Sequence, residues 1–272
     1  FKQHNSLPGF SVTLGMTLLY LAVIVIVPLS ALLISSAGLG WKEFTDIVTA
    51  TRVLYAFKIS FGSALAASLV NAVFGLVVAW VLVRYEFPGR KFVDALVDLP
   101  FALPTAVAGI TLATVYAPDG LVGRWFVPFG IKIAFTPLGI MLAMIFVGIP
   151  FVVRTVQPVM EDLDAELEEA AACLGANRLQ TLRLVIFPLL MPSVLTGFSL
   201  SFARAVGEYG SIVFIAGNIP LVSEIAPLLI VTKLEQFDYQ GATAIASVML
   251  FMSFSILFLI NCIQRWSKKY AE

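Results

Sequence analysis

The sequence contains 272 residues, of which 60% are hydrophobic and only 12% are charged, and its mean hydropathy is +0.96. Soluble domains usually have about a quarter of charged residues, so this chain has too few polar side chains to cover a water-facing surface. The composition excludes an ordinary soluble or disordered protein and predicts an all-α membrane protein with several spans. The 17 basic and 17 acidic residues cancel, which argues against a nucleic-acid partner attracted by bulk charge. One His and two Cys are too few for a His/Cys metal site, so we expect no metal.

Six apolar segments are long enough to cross about 30 Å of hydrocarbon as helices. In chain order they cover residues 14–35, 59–83, about 99–117, about 136–153, about 189–215 and about 242–262. The first has no short apolar stretch followed by a small-residue cleavage site, so we expect a retained helix and not a signal peptide. These segments predict six transmembrane helices, with both termini on the same side of the membrane.

Basic residues are distributed unevenly between the two sides that these spans define. Ten lie on the side of the termini: Lys2, Arg84, Arg90, Lys91, Arg154, Arg178, Arg183, Arg265, Lys268 and Lys269. Six lie on the opposite side: Lys42, Arg52, Lys58, Arg124, Lys132 and Lys233. Because basic residues are enriched in cytoplasmic loops, this difference predicts cytoplasmic termini.

The loop between the fourth and fifth segments is the most polar part of the chain, and it is patterned. Apolar residues recur there at helical spacing: Leu163, Leu167, Ala170, Ala171 and Leu174. Gly175 provides a helix stop, and Asn177 with Gln180 matches a capping box that starts a second helix. We therefore expect two short helices joined in a bent hairpin. A solvated amphipathic helix that packs on its own bundle is an equally good interpretation of the residues alone.

This loop resembles a known signature. Glu169-Ala170-Ala171, three residues, Gly175, nine residues and then residues 185–188 (Val-Ile-Phe-Pro) resemble the EAA motif of ABC importer permeases. The resemblance implies the type I importer fold, with a core of five helices after one extra helix. It also implies that the hairpin is the coupling helix that docks on an ATP-binding subunit. The residues that it assigns to this coupling are Glu168, Glu169, Ala170, Ala171, Gly175 and Pro188.

The same resemblance divides the chain into three parts. Residues 1–56 would form the extra N-terminal helix and the first external loop. Residues 57–266 would form the five-helix permease core, with the coupling helices at about 161–187. Residues 267–272 would form a cytoplasmic tail.

A narrower resemblance extends over nearly the whole chain. Residues 98–109, 150–159, 214–220 and 234–239 are similar to segments of sulfate/thiosulfate permeases of the CysT type. This implies import of sulfate or thiosulfate across a bacterial-type cytoplasmic (inner) membrane by a multi-pass protein surrounded by lipid. It further implies three kinds of protein partner: a second, homologous permease, two ATP-binding subunits and an external sulfate-binding protein.

The chain itself has no phosphate-binding loop, because no Gly is followed by Lys anywhere in it. We therefore expect a transport subunit that is not an enzyme and has no cofactor, with ATP bound and hydrolysed by a partner. Molybdate permeases share the outline of residues 201–220, so a permease for molybdate, tungstate or another oxyanion is the alternative. An ion-coupled secondary transporter is less favoured, since no clear internal repeat is visible.

Two charged residues lie inside the fifth apolar segment, one helical turn apart. Arg204 and Glu208 would each cost about 2.5–3.5 kcal/mol in hydrocarbon, so they should face the bundle interior and pair. Arg204 is then either a contact for the transported anion or half of a structural ion pair. Glu208 favours the pair, because a neutralised Arg attracts an anion weakly. Hydroxyls such as those of Ser201 and Thr105 are candidates for transient contacts along the pathway.

Three weaker patterns complete the sequence-based predictions. Asp94 and Asp98 follow Arg90 at intervals of four residues, and we expect a solvated charge ladder in preference to a gate. Residues 221–238 mix apolar and charged side chains, as in an interfacial or docking helix. Cys173 and Cys262 would both lie near the cytoplasm, where we expect free thiols.

Overall fold

The computed structural model of the protein describes residues 9–269, with side chains for residues 9–264. Lys2 and residues 270–272 of the predicted tail lie outside the described residues, as do the side chains of Arg265, Lys268 and Lys269. Within the described range, all regular structure is helical. The all-α class predicted from composition is therefore confirmed.

Twelve helices follow one another along the described chain. The first half contains α1 (Phe10–Ala37), α2 (Trp41–Val48), α3 (Thr51–Arg84), α4 (Arg90–Val97), α5 (Leu99–Ala102) and α6 (Thr105–Tyr116). Two 3-10 turns, Gly123–Trp125 and Val127–Phe129, connect the halves. The second half contains α7 (Pro137–Glu161), α8 (Ala165–Cys173), α9 (Arg178–Val206), α10 (Ile212–Ala216), α11 (Ala226–Glu235) and α12 (Tyr239–Lys269).

Five of these helices, α1, α3, α7, α9 and α12, are long and apolar enough to cross a membrane. The third predicted span is wrong as a single helix, because Leu103 and Pro104 are extended and separate α5 from α6. The ring of Pro104 disfavours helical geometry at the residue before it. Helix α6 has 12 residues, or about 18 Å, so the predicted count of six full spans is not confirmed.

The fifth predicted span is wrong at both ends. Helix α9 begins at Arg178, well before residue 189, and it ends at Val206, before Glu208. Hydropathy located only the apolar middle, whereas a cap at Asn177 starts the helix in polar sequence. Beyond the end of α9, residues 207–211 form a non-helical junction to the separate helix α10.

Two long helices each contain a wider π-helical turn, at Ala22–Ile26 in α1 and at Leu182–Ile186 in α9. Each turn ends two residues before a proline, Pro28 or Pro188. Proline has no N–H to donate, and its ring clashes with the carbonyl group four residues earlier in an α-helix. The wider turn accommodates that ring without ending the helix.

Three helices, α3, α7 and α9, cross one another at the centre of the bundle through glycines. A Cβ atom added at Gly75 would lie 2.8 Å from the side chain of Val152, and one at Gly197 would lie 2.7 Å from the Val152 Cα. At Gly148 an added Cβ would collide with Asn71 and Ser201. Small residues at helix crossings bring backbones close together, which is how apolar helices pack within a membrane.

The outer helices present apolar side chains to their surroundings. The segment Phe10–Leu21 of α1 has no buried residue, and α12 exposes Phe251, Phe254 and Phe258. Such surfaces suit hydrocarbon and would be unfavourable in water. Helix α11 differs, because its Ala226 and Leu229 are fully buried. Helix α11 therefore packs within the bundle, whereas the sequence predicted an interfacial or docking helix over residues 221–238.

Candidate functional site

The polar loop folds into a compact hairpin, defined here as residues 165–181: helix α8, a glycine turn and the first turn of α9. Gly175 has φ +82°, a left-handed conformation that glycine adopts without steric cost. The N–H of Ala176 donates to the carbonyl of Ala171 over 3.0 Å, and that of Gly175 donates to Ala172 over 2.9 Å. This pair of bonds is a Schellman motif, so Gly175 ends α8 as predicted.

The start of α9 carries the second predicted signal. The side-chain oxygen of Asn177 accepts from the N–H of Gln180 over 2.9 Å, and the N–H of Asn177 donates to the Gln180 side chain over 2.8 Å. The predicted capping box is thereby confirmed. The second helix is not short, however. It continues through the π-helical turn to Val206 as a helix of 29 residues, so the hairpin is joined directly to a membrane-spanning element.

The residues of the EAA-like motif lie on two sides of α8. Ala171 is buried and Glu168 is half-buried, with its carboxylate 2.5 Å from the Arg84 guanidinium at the end of α3. Glu169 and Ala170 are exposed. One side of the hairpin is thus attached to the bundle, while the other side is open to a partner.

The tip of the hairpin and the motif's proline are also exposed. Leu174 is 90% exposed, which is unusual for a large apolar side chain that faces water. Gly175 lies beside it, and Pro188 is exposed on α9 directly after the π-helical turn. The hairpin therefore packs on the bundle through one side and leaves its other side uncovered by any described residue, so both interpretations of the sequence stay predictions.

The predicted Arg204–Glu208 ion pair is present, but in a different setting from the one expected. Glu208 lies beyond the end of α9 and is only 1% exposed, whereas the Arg204 side chain is 34% exposed. The second carboxylate oxygen of Glu208 accepts from the N–H and the hydroxyl of Ser211, over 2.9 and 2.8 Å. Glu208 therefore connects the end of α9 to the start of α10.

The two predicted hydroxyl contacts lie in different places. Thr105 is the first residue of α6 and is half-buried, and a side chain at Gly210 would collide with its hydroxyl group. Thr105 therefore lies against the same 207–211 junction as Glu208. Ser201 is 1% exposed and accepts from the Asn71 amide over 3.0 Å. It is part of the central helix crossing and is not open to a pathway.

The structure adds a charge cluster that the sequence did not predict. Arg154 of α7 donates to both carboxylate oxygens of Asp98, over 2.8 and 2.6 Å, and to Asp94 over 2.7 Å. Asp94 and Asp98 are therefore paired with Arg154, which corrects the expected ladder with Arg90. Their spacing of four residues did place both carboxylates on one face. Nothing local identified Arg154, which lies 56 and 60 residues away.

Another unpredicted ion pair connects Arg52, at the start of α3, to Glu224, two residues before α11. The guanidinium donates twice to the carboxylate, over 2.7 and 2.6 Å, and Glu224 is 1% exposed. Eight residues along α3, the Ser60 hydroxyl accepts from the N–H of Ala226 over 2.7 Å. Together these contacts attach α11 to α3 at the end of the bundle opposite the hairpin.

Comparisons with known proteins identify the family. The model of the family described as "Binding-protein-dependent transport system inner membrane component" matches residues 71–270. The chain belongs to this family. It is accordingly a multi-pass, inner-membrane transport subunit and not an enzyme.

Individual relatives are similar over nearly their whole length. The Sulfate transport system permease protein CysT of Synechocystis sp. is 53% identical, over 100% of this chain and 93% of that protein. The proteins of the same name from Salmonella typhimurium and Escherichia coli are 51% and 50% identical, each over 97% of this chain and 95% of the relative.

Solved structures share the fold at lower sequence identity. A bacterial ABC transporter involved in the import of the acidic polysaccharide alginate is 15% identical and matches with a TM-score of 0.75, over 94% of both chains. The MetNI methionine ABC transporter in an inward-facing conformation is 18% identical, with a TM-score of 0.52, over 80% of this chain and 99% of that one. The predicted type I importer permease fold is therefore confirmed.

Proposed function

We propose that the chain is the permease subunit of an ABC importer that moves sulfate, and the related dianion thiosulfate, into the cytoplasm. The observation that carries this proposal is identity of 50% or more, over nearly full length, with proteins named sulfate transport system permeases. The aligned regions cover 97–100% of this chain, so they include both the bundle and the hairpin. This supports a shared substrate class in addition to a shared fold.

The hairpin is the proposed contact with an ATP-binding subunit. Its exposed side combines the acidic Glu169, the small Ala170 and the apolar tip Leu174, a surface that a groove in a partner can approach closely. Glu168 faces the other way and pairs with Arg84. A force on the hairpin would pass to α3 through that pair and to α9 through the capped turn at Asn177.

The assembly we propose contains this chain, a second homologous permease, two ATP-binding subunits and an external sulfate-binding protein. Because the sequence has no phosphate-binding loop, ATP would be bound by the partner subunits. Their closure would shift the bundle between inward-open and outward-open states by differential contact with the hairpin. In this arrangement the permease needs only weak contacts with the anion, since a tight site would slow its release.

We assign the Arg204–Glu208 pair to the structure of the pathway wall. Glu208 accepts from Arg204 and twice from Ser211, so its charge is satisfied locally and α9 stays attached to α10. Thr105, on the other side of the 207–211 junction, is the better candidate for a transient hydrogen bond to the anion. Its hydroxyl has no hydrogen-bond partner among residues 9–264.

Uptake measurements test the substrate. The assembled transporter in proteoliposomes, with its binding protein outside and ATP inside, should accumulate radiolabelled sulfate. Excess thiosulfate should compete more strongly than excess molybdate. Stronger competition by molybdate would contradict the sulfate assignment, and uptake without any ATP-binding subunit would contradict the ABC mechanism.

Paired variants test the roles of the residues. Glu169→Lys on the exposed side of α8 should reduce co-purification of the ATP-binding subunits, whereas Glu166→Lys, exposed on the same helix but outside the motif, should not. Arg204→Gln and Glu208→Gln should both reduce the amount of folded protein without changing the order in which anions compete. Thr105→Val should instead slow uptake in a well-folded protein. A changed anion order in Arg204→Gln would show that Arg204 contacts the substrate.

A further inference from the structure

A groove of about 690 Å³ opens on the side of the bundle between α3 and the first half of α9. This volume lies within the range of about 300–1,000 Å³ that is usual for small-molecule sites. Its walls are almost entirely apolar, and the one charged residue among them is Arg183. The lining residues include Leu76, Val77, Trp80, Arg183, Ile186 and Leu190.

The groove has a basic end and an apolar end. Helix α3 runs toward the hairpin, so Leu76, Trp80 and then Arg84 follow one another at intervals of one turn. The guanidinium of Arg84 lies 5.4 Å from the centre of the Trp80 ring. Helix α9 runs the opposite way, with Arg183 nearest the hairpin and Leu190 deepest. Along α3 the groove lining extends from Leu76 to Trp80, about 6 Å, and Arg84 lies one turn beyond it toward the hairpin.

The basic end and the apolar end of the groove match the charged headgroup and the acyl chain of an anionic membrane lipid. Arg183 is exposed and forms no ion pair with any described residue, whereas the charge of Arg84 is partly offset by Glu168. Trp side chains favour the level of lipid headgroups, and basic residues between helices at that level bind anionic headgroups. An acyl chain would cover the apolar walls, which otherwise face open space.

We propose that this groove binds an anionic phospholipid of the leaflet on the hairpin side, with its phosphate at Arg183 and one acyl chain along Leu76 and Leu190. The wall contributed by α9 includes the π-helical turn Leu182–Ile186, directly after the capped start of the helix. The lipid therefore contacts the junction between the hairpin and the spanning part of α9. Its occupancy stiffens that junction.

Lipid retention tests this proposal without any measurement of sulfate transport, so its failure is separate from failure of the proposed function. The purified transporter is stripped of lipid, mixed with phosphatidylglycerol or phosphatidylcholine, and examined by native mass spectrometry. Arg183→Gln should lower the affinity for phosphatidylglycerol about tenfold, as expected for loss of one charge-assisted phosphate contact. Lys91→Gln, which removes an exposed charge outside the groove, should leave it unchanged.

A second variant addresses the apolar part. Val77→Trp should fill the groove and reduce retention of both lipids, in a protein whose thermal unfolding is unchanged because Val77 is 53% exposed. Equal retention of both lipids by the unmodified protein, or no effect of either variant, would overturn the proposal. So would efficient crosslinking of Val77→Cys to a partner permease, with Cys173 and Cys262 replaced by Ser, because a protein surface would then occupy the groove.

Discussion

The hairpin turn is stabilised by contacts between residues close in sequence, whereas the central bundle is stabilised by contacts between residues far apart in sequence. Every hydrogen bond that shapes the hairpin turn connects residues three to five positions apart, through the Schellman motif at Gly175 and the capping box at Asn177. The bundle is joined by contacts across the sequence. The amide of Asn71 meets Ser201, 130 residues away, and Arg52 meets Glu224, 172 residues away.

This difference has a physical consequence for coupling. A turn stabilised by hydrogen bonds between neighbouring residues keeps its conformation when the helices around it move. The hairpin can therefore move as a rigid unit against another subunit. Contacts between distant helices instead determine which helices move together. Substitutions in the two regions should therefore have different effects. In the bundle they should reduce the amount of folded protein, and in the hairpin they should reduce coupling to the ATP-binding subunits.

The largest effect is expected at the buried charge of the bundle. Arg52→Gln leaves the buried Glu224 without its cationic partner; such a loss costs about 3–5 kcal/mol in a fully buried pair, and less here because solvent reaches the Arg52 side of this pair. Glu224→Gln should cost less, because Arg52 is 38% exposed and remains hydrated. Thermal unfolding in detergent measures both, with Lys58→Gln, exposed on the same helix, as the control. Equal losses for the two variants would contradict this asymmetry.

The second effect concerns the glycine at the central crossing. Gly148→Ala places a methyl group against Asn71 and Ser201, and overpacking of this kind costs about 1–3 kcal/mol. Gly62→Ala, in α3 with no neighbour within 4 Å, should be neutral or slightly stabilising. The yield of folded protein and its unfolding temperature report on both. If Gly148→Ala were as stable as Gly62→Ala, the bundle would be less tightly packed than described.

A smaller effect on stability is expected in the hairpin. Gly175→Ala forces a side chain into left-handed geometry at a cost of about 1 kcal/mol, which local rearrangement of the turn can absorb. Global unfolding should therefore change little, while stimulation of the ATP-binding subunits falls. Gly40→Ala, at an ordinary φ of −62°, is the matched control. A large loss of global stability without loss of stimulation would reverse the comparison between the two regions.

The smallest effect is a pH dependence at the start of α12. A hydrogen bond from Lys233, then one from the Gly241 N–H, holds the pKa of Asp238 below its ordinary value. A lowered pKa in the folded protein means that this stabilisation is present above the ordinary Asp pKa of about 3.9 and is lost as pH falls through the lower folded value. The stability difference between the unmodified protein and Asp238→Asn should therefore shrink as pH falls from about 5 through the lowered pKa of Asp238.

A stability difference that stays constant over this pH range would mean that Asp238 gains nothing from Lys233. Because Asp238 is partly exposed, salt should also reduce the difference.

What could be predicted from the sequence follows the same division between local and distant contacts. Gly175 and the pair Asn177–Gln180 signal their own geometry, so the hairpin turn was predicted correctly. The junction at residues 207–211 was missed because hydropathy continues through it. Ser201 is a candidate for a pathway contact in the sequence because its hydroxyl is evident there, whereas its pairing with Asn71, 130 residues away, is not.

Long-range ion pairs could not be predicted for a related reason. Arg154 directly follows an apolar run and marks the end of a predicted span in the sequence. Only the folded arrangement of α4 and α7 brings it to Asp94 and Asp98. The break at Leu103–Pro104 is different, because the proline was visible. A membrane bundle tolerates prolines inside helices as well as between them, and sequence alone did not distinguish the two cases.

The length of α9 allows a displacement of the hairpin to reach the opposite end of the helix. The helix extends from the cap at Asn177 to the Glu208–Ser211 attachment, through its π-helical turn, over 29 residues or about 43 Å. Its crossing with α3 and α7 lies at Gly197 and Ser201, nearer to the Glu208–Ser211 end than to the hairpin. A tilt of about 5° around Gly197 would displace the hairpin end by roughly 2.5 Å and the other end by roughly 1 Å in the opposite direction, given about 1.5 Å per residue. A small displacement of the hairpin would then move the Glu208–Ser211 end of α9, on the opposite side of the bundle.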